Sequence, residues 1–368
     1  MRTVVGRSLC TPTFKAVPPL SMTVAASRLA LCVAAVLVAA SAGAAAAPAE
    51  DLAACYKAQG DAAISACTAA ITSKKHQGAE LATAHIVRGN AYFNKGDYNS
   101  AARDYDEAIQ LNPKNSVAFY NRGNVYNRLG RYDDAIENYD KAIELRPDYA
   151  NAFNNRCSAY TSKDAYDRAI EDCSRAIALD ATKANYFVSR GNAYNKKPDS
   201  DRAMSDYDQA IRLDANNVSA YVGRCSVLID KANYGNAIES CDQALKRQPN
   251  NQSARNNRCW ARAILAGAQE QLKQALEDCD EALRLRPNDP YAFDSRGFVY
   301  LKMGDFDKAI ADYDQSIVLG GERPGSLYGR GIAKLKKGDA EGGNRDITVA
   351  TKKRPDVAEE YRGYGVQQ

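Results

Sequence analysis

A spacing pattern that returns every 34 residues constrains this chain more than any single motif in it. In residues 116–149, SVAFYNRGNVYNRLGRYDDAIENYDKAIELRPDY, apolar or small residues recur three or four apart on both sides of a break at Gly130-Arg131. That periodicity places them on one face of each of two amphipathic helices joined by a tight turn. Pro147 closes the unit, because it lacks the N–H that would continue the second helix. Moving 34 residues on turns Phe119, Gly123, Tyr126, Ala135, Tyr139 and Ala142 into Phe153, Cys157, Tyr160, Ala169, Cys173 and Ala176. One such helix pair cannot bury its apolar face alone, so successive units must stack.

Small, aromatic, small, aromatic, small and Pro at this period resemble the tetratricopeptide repeat family. Eight units are expected over residues 82–357: seven of 34 residues, and one, 252–289, with four extra near Gly267–Lys273. Residues 51–81 read as a shortened capping helix pair broken at Gly60-Asp61. The unit 324–357 departs from the pattern at Lys334, Gly343 and Ile347 and reads as a closing cap. Residues 358–368 form a C-terminal tail that begins as a short solvating helix. The resemblance implies an all-α fold, a right-handed α-solenoid of stacked hairpins whose first helices line a concave side.

Residues 1–49 read as an export signal, in which Arg28 precedes the uncharged run LALCVAAVLVAASAGAAAA. Met22 offers a second start with a shorter leader, and retention of the run as an anchor is the competing reading. The stretch Leu52-Ala53-Ala54-Cys55 also fits a lipoprotein cleavage box, although Pro48, Glu50 and Asp51 separate it from the apolar run. The net charge of +4 sits in Arg2, Arg7, Lys15 and Arg28; without these four, 45 basic residues face 45 acidic ones. A neutral body has little counterion release to offer a polyanion, so no nucleic acid partner is expected.

Cysteines follow the repeat register. Cys157, Cys225 and Cys259 fall at position 8 of their units, and Cys173, Cys241 and Cys279 at position 24 once the insertion is allowed for. Units without cysteine carry Gly and Tyr there, as in Gly89 with Tyr105, Gly123 with Tyr139, Gly191 with Tyr207 and Gly297 with Tyr313. No unit has half a pair. The two positions therefore face each other, which predicts disulfides Cys157–Cys173, Cys225–Cys241 and Cys259–Cys279, with Cys55–Cys67 in the cap. Paired cysteines and an export run agree on an oxidising, periplasmic or secreted setting. The chain has no CxxC, and its only histidines are His76 and His85, so neither a metal nor another cofactor is expected.

Position 7 is Arg in all eight units, from Arg88 to Arg330, and each unit supplies Asp at position 23 or 25. This predicts an ion-pair ladder between helices rather than an anion-binding stripe.

The resemblance places function on the concave first-helix positions. In the front half these are rich in amides, including Asn90, Asn121, Asn124, Asn154, Asn155 and Asn192, with Tyr120 among them. A carboxamide both donates and accepts, so such a row could grip the backbone of an extended peptide; a solvated face is the plain alternative. In the back half they turn apolar at Trp260, Phe298 and Leu301. That stretch is either an exposed contact surface anchored by Trp260 and Phe298, or a seat for the tail from Tyr361 to Val366. At positions 2, 5 and 6, where cytosolic members clamp acidic tails with Lys or Arg, this chain carries mostly Asn, Ser, Val, Gly and Tyr, so that specificity is not expected. With no glycine-rich phosphate loop, no HExxH and two histidines, no catalytic site is expected. The expected activity is protein or peptide binding, against a structural spacer and a glycan-binding module as alternatives.

Overall fold

The computed structural model describes residues 47–367, and every regular element there is a helix. A first hairpin, α1 (Ala47–Lys57) and α2 (Gly60–Thr72), is followed by α3 (Gly78–Lys95) and α4 (Tyr98–Leu111). Then come α5 (Ser116–Arg128), α6 (Tyr132–Leu145), α7 (Ala150–Ser162), α8 (Tyr166–Leu179), α9 (Ala184–Lys196) and α10 (Ser200–Leu213). The array continues through α11 (Val218–Asp230), α12 (Tyr234–Arg247), α13 (Gln252–Leu265) and α14 (Gln269–Leu285). It closes with α15 (Pro290–Met303), α16 (Phe306–Gly320), α17 (Pro324–Lys337), α18 (Ala340–Lys353) and the short α19 (Val357–Gly363). The fold is an all-α solenoid of stacked helical hairpins. The export run and the alternative start at Met22 lie outside the described residues, apart from Ala47 at the end of the run.

Local chemistry sets the breaks. Asp97, Asn115, Asn217, Asn251, Asp289 and Asp305 each accept a hydrogen bond from a backbone N–H of the first turn they precede. Gly96 ends α3 at φ +85°, a left-handed cap that costs a glycine little. The four-residue insertion lengthens α14 to 17 residues, against 14 in α12.

Small residues let the helices approach. Tyr105, Tyr139, Tyr207 and Tyr313 are at most 1% exposed, each laid against the position-8 glycine of its own unit. A Cβ on Gly123 would sit 2.7 Å from Cε1 and 2.8 Å from Cδ1 of Tyr139. Where the pair is cysteine, a disulfide spans the same gap: Cys157–Cys173, Cys225–Cys241 and Cys259–Cys279 have Cα separations of 5.5, 5.6 and 5.4 Å. Cys55–Cys67 joins α1 to α2. The eight cysteines of these four bridges are fully buried.

The arginines knit this stack in two directions. Arg156 donates from Nε and Nη2 to both oxygens of Asp172 in its own unit, at 2.7 and 2.6 Å, and from Nη1 to Asp140 of the preceding unit at 2.5 Å. Arg258, Arg296 and Arg330 repeat the arrangement with Asp278 and Asp242, Asp312 and Asp280, and Asp346 and Asp314. Arg122 and Arg224 keep the backward contact, to Asp106 and Asp208, but meet neutral Asn138 and Ser240 in their own units. Aromatic rings flank the guanidinium: that of Arg156 lies 5.4 Å from Phe153 and 5.9 Å from Tyr160. A second inter-unit rung joins Lys163 to Asp133, Lys197 to Asp167 and Lys231 to Asp201.

Candidate functional site

The first-helix amides divide into an engaged group and an open group. Asn90 Oδ1 accepts from the Tyr105 hydroxyl at 2.7 Å and from Asn121 Nδ2 at 2.9 Å. One unit on, Asn124 Oδ1 accepts from the Tyr139 hydroxyl at 2.9 Å and from Asn155 Nδ2 at 2.8 Å. Asn155 Nδ2 also reaches the Tyr120 hydroxyl at 3.0 Å, and Asn154 Nδ2 donates to Asn155 Oδ1 at 3.1 Å. Burial pushes the hydroxyl pKa of Tyr139 far up, so it stays protonated and needs an acceptor. The amides therefore recur partly for packing, a role beside the two readings of this row, peptide grip and solvated face, that the sequence offers.

A signal for this was present in the sequence. Position 9 is Asn beside Tyr in units 82–115, 116–149 and 184–217, but Ser158, Ser226 and Trp260 in the disulfide units, where no hydroxyl needs a partner.

Asn192 has no such amide facing it from the next unit, where the corresponding position is Gly223 and a Cβ would lie 2.4 Å from Tyr207 Cζ. Asn192 accepts from the Tyr207 hydroxyl at 2.8 Å, and no neighbouring amide covers it. A cavity of about 610 Å³ opens there, lined by Asn192, Asn195, Ser219, Ser226, Asn256 and Asn257. Among the described residues, no side-chain hydrogen bond engages Asn195, Ser219, Ser226 or Asn257, and the Asn256 Oδ1 is buried without a partner. Tyr291 stands at the rim, 62% exposed, with the Arg323 guanidinium 4.4 Å from its ring centre. Smaller concavities of about 520 and 260 Å³ lie beside Asn124, Asn127 and Asn155, and beside Asn90, Asn94 and Asn121. Asn256, Asn257, Ser219, Ser226 and Tyr291 were not singled out from the sequence. The Asn-Asn pair at positions 5 and 6, shared with Asn154-Asn155, marks two of them.

The back half is not an open apolar wall. Phe298 is fully buried and Leu301 is 6% exposed, so neither is free to anchor a ligand. The tail covers them. Tyr361 is 2% exposed, 5.8 Å from Phe298 and 5.0 Å from Tyr328 between ring centres, and its hydroxyl donates to the Gly325 carbonyl at 2.9 Å. Tyr364 stands edge-on to Trp260 at 5.6 Å and to Phe298 at 5.8 Å. Trp260 stacks at 4.8 Å on Phe298 and stays only half-buried. Of the two readings the sequence allowed here, the tail seat is the one the structure contains.

Among the described residues, no group of three His, Cys, Asp or Glu side chains is placed to hold a metal ion. His85 Nδ1 lies 2.9 Å from the Asp104 carboxylate, which Arg88 also grips, so both groups are used within the packing. No helix of the described residues is long and apolar enough to cross a membrane.

Hairpins of this geometry, stacked with a concave face of first helices, define an α-solenoid repeat protein. Models described as "Tetratricopeptide repeat" match residues 116–149, and also 184–217, 218–251 and 292–317; one described as "TPR repeat" matches 89–130. The chain is a tetratricopeptide repeat protein. It is 45% identical over 42 residues to stress-induced-phosphoprotein 1 of Caenorhabditis elegans, a match that spans 11% of this chain and 13% of that protein. A tetratricopeptide repeat protein from Parabacteroides merdae superposes with a TM-score of 0.53 at 17% identity, covering 73% of this chain and 98% of its own. A chain of the APC/C hetero-tetramer Cut9-Hcn1 does so with a TM-score of 0.61 at 13% identity, over 87% of this chain and 62% of its own. These two likenesses concern the fold.

Proposed function

We propose that the chain is a non-catalytic scaffold that binds an extended segment of another protein along its concave groove, in an extracytoplasmic compartment. The observation that carries this reading is the mid-groove cavity, where Asn195, Ser219, Ser226 and Asn257, from three successive first helices, face the same space without side-chain partners of their own. Unpaired carboxamides can pair with a backbone that offers alternating donors and acceptors, whatever its side chains. The amides of the first three full units contribute a polar floor, because Asn90, Asn121, Asn124 and Asn155 already spend contacts on one another and on the hydroxyls of Tyr105 and Tyr139. The neutral body supports a polypeptide rather than a nucleic acid as partner. Four buried disulfides and the export-type leader support the extracytoplasmic setting.

The test is selection of peptides on the disulfide-bonded chain, followed by titration of the winners against Asn195→Ala/Asn257→Ala, two lining amides that make no side-chain hydrogen bond of their own. Loss of about tenfold or more in affinity, with the melting temperature retained, supports the reading. Equal affinity moves the contact out of this cavity. A glycan reading rests on the exposed Tyr291 ring beside the same amides; oligosaccharide binding that no peptide displaces would favour it.

A further inference from the structure

The C-terminal segment does more than close the last hairpin. A closing helix needs contact with α17 and α18, and Val357 and Tyr361, both buried, are placed to provide it. The chain after α19 continues inward along the concave side. Tyr364 reaches Phe298 on α15 and Trp260 on α13, two units away from the end of the array. Val366 is 8% exposed and, with Gly365 and Gln367, shares a concavity with Leu301, Met303, Phe306 and Ile332. These contacts fall on first-helix positions that the rest of the array leaves open as groove. The segment therefore sits where a ligand would.

We propose that the concave face of α13, α15 and α17 is a binding site for a partner segment with two aromatic residues three apart, and that residues 357–367 are its resident occupant. This rests on the groove reading above and names the chemistry of its apolar end. Three features set the specificity. The Gly325 carbonyl accepts the first hydroxyl, as it does from Tyr361. Trp260 and Phe298 receive the second ring in T-shaped contacts, as they do Tyr364. The apolar floor at Leu301 and Ile332 takes a β-branched side chain beyond it, as it does Val366. α19 has seven residues, too few to persist as a helix in water without this seat. A tethered occupant competes at an effective concentration on the order of millimolar, so the site opens only to a ligand that outbinds its own tail.

Trp260, the only tryptophan, reports occupancy directly. The experiment uses the full chain as wild type and as Tyr364→Ala, a position beyond those that close the last hairpin. The probe is a synthetic peptide of residues 355–368. In Tyr364→Ala the Trp260 emission shifts to the red, and the peptide, which carries both rings and displaces the weakened resident segment, restores it with a saturating titration. A peptide with both tyrosines replaced by alanine does not. Wild type binds the probe at least about a hundredfold more weakly, because its own tail competes. Unchanged Trp260 emission in the variant, or equal probe affinity in both chains, overturns the proposal. So does loss of the last hairpin's hydrogen-exchange protection in the variant, which makes the segment an integral cap. The Asn195→Ala/Asn257→Ala titration is independent of the tail, so the groove reading and this one fail separately.

Discussion

Gly–Tyr and Cys–Cys occupy the same gap in different units, so one should be convertible into the other. The perturbation is Gly123→Cys/Tyr139→Cys in the unit between two untouched neighbours, with both single changes as controls. Alone, Gly123→Cys forces a side chain into a space where even a Cβ lies 2.7 Å from the Tyr139 ring. That ring is fully buried, so overpacking should cost about 1–3 kcal/mol. Alone, Tyr139→Cys empties most of the ring's volume and removes the donor to Asn124, at about 3–5 kcal/mol by analogy with other aromatic truncations. The oxidised double variant removes the clash and adds a bridge closing a loop like that of Cys157–Cys173, separated by 16 residues, which is worth about 3 kcal/mol. Urea unfolding with thiol titration should show the oxidised double variant more stable than Tyr139→Cys by at least about 2 kcal/mol. A pair that stays reduced, or a double variant no more stable than that single change, would refute the claim that positions 8 and 24 are interchangeable facing sites.

Other consequences follow from the same contacts. Reducing all four bridges should raise hydrogen exchange first in residues 51–81, 150–183 and 218–289, while the tyrosine-packed unit 116–149 holds. Uniform loss across the array would contradict this. Burial pushes the Asp104 carboxyl up, but hydrogen bonds from His85 and Arg88 outweigh it and leave the group below its ordinary range; Asp346 behaves likewise through Arg330 and Lys334. A depressed folded value means that this stabilisation is complete above the unfolded pKa of about 4 and fades as pH falls through the folded one. Unfolding midpoints measured below about pH 4 should therefore depend less on pH in Asp104→Asn than in wild type.

The period of 34 made the hairpins legible because each unit repeats the same local packing problem. The cysteine pairs were legible for the same reason, since Gly–Tyr units supply an internal control for positions 8 and 24. The arginine ladder was legible in composition but not in direction. The Asp at position 25 serves the Arg of the following unit, as Asp140 serves Arg156, and helical periodicity within one unit does not encode that contact. Asn90 and Asn124 looked like free groove residues because their tie to the position-24 hydroxyl is a side-chain choice, visible only by comparing units. The seat of Tyr361 and Tyr364 could not be chosen from sequence, because the tail has no second copy to compare. Its place depends on rings 33 to 104 residues earlier, from Tyr328 to Trp260.

Recognition through the backbone is the central claim, and it separates cleanly from recognition through side chains. A selected peptide ligand would be scanned twice by calorimetry, once with alanine and once with single N-methyl groups. Grip by the mid-groove amides predicts that N-methylation at several successive positions costs about tenfold or more each, roughly one hydrogen bond, whereas most alanine changes cost little. Tolerance of N-methylation along the whole ligand, with affinity lost at one or two side chains, would contradict it.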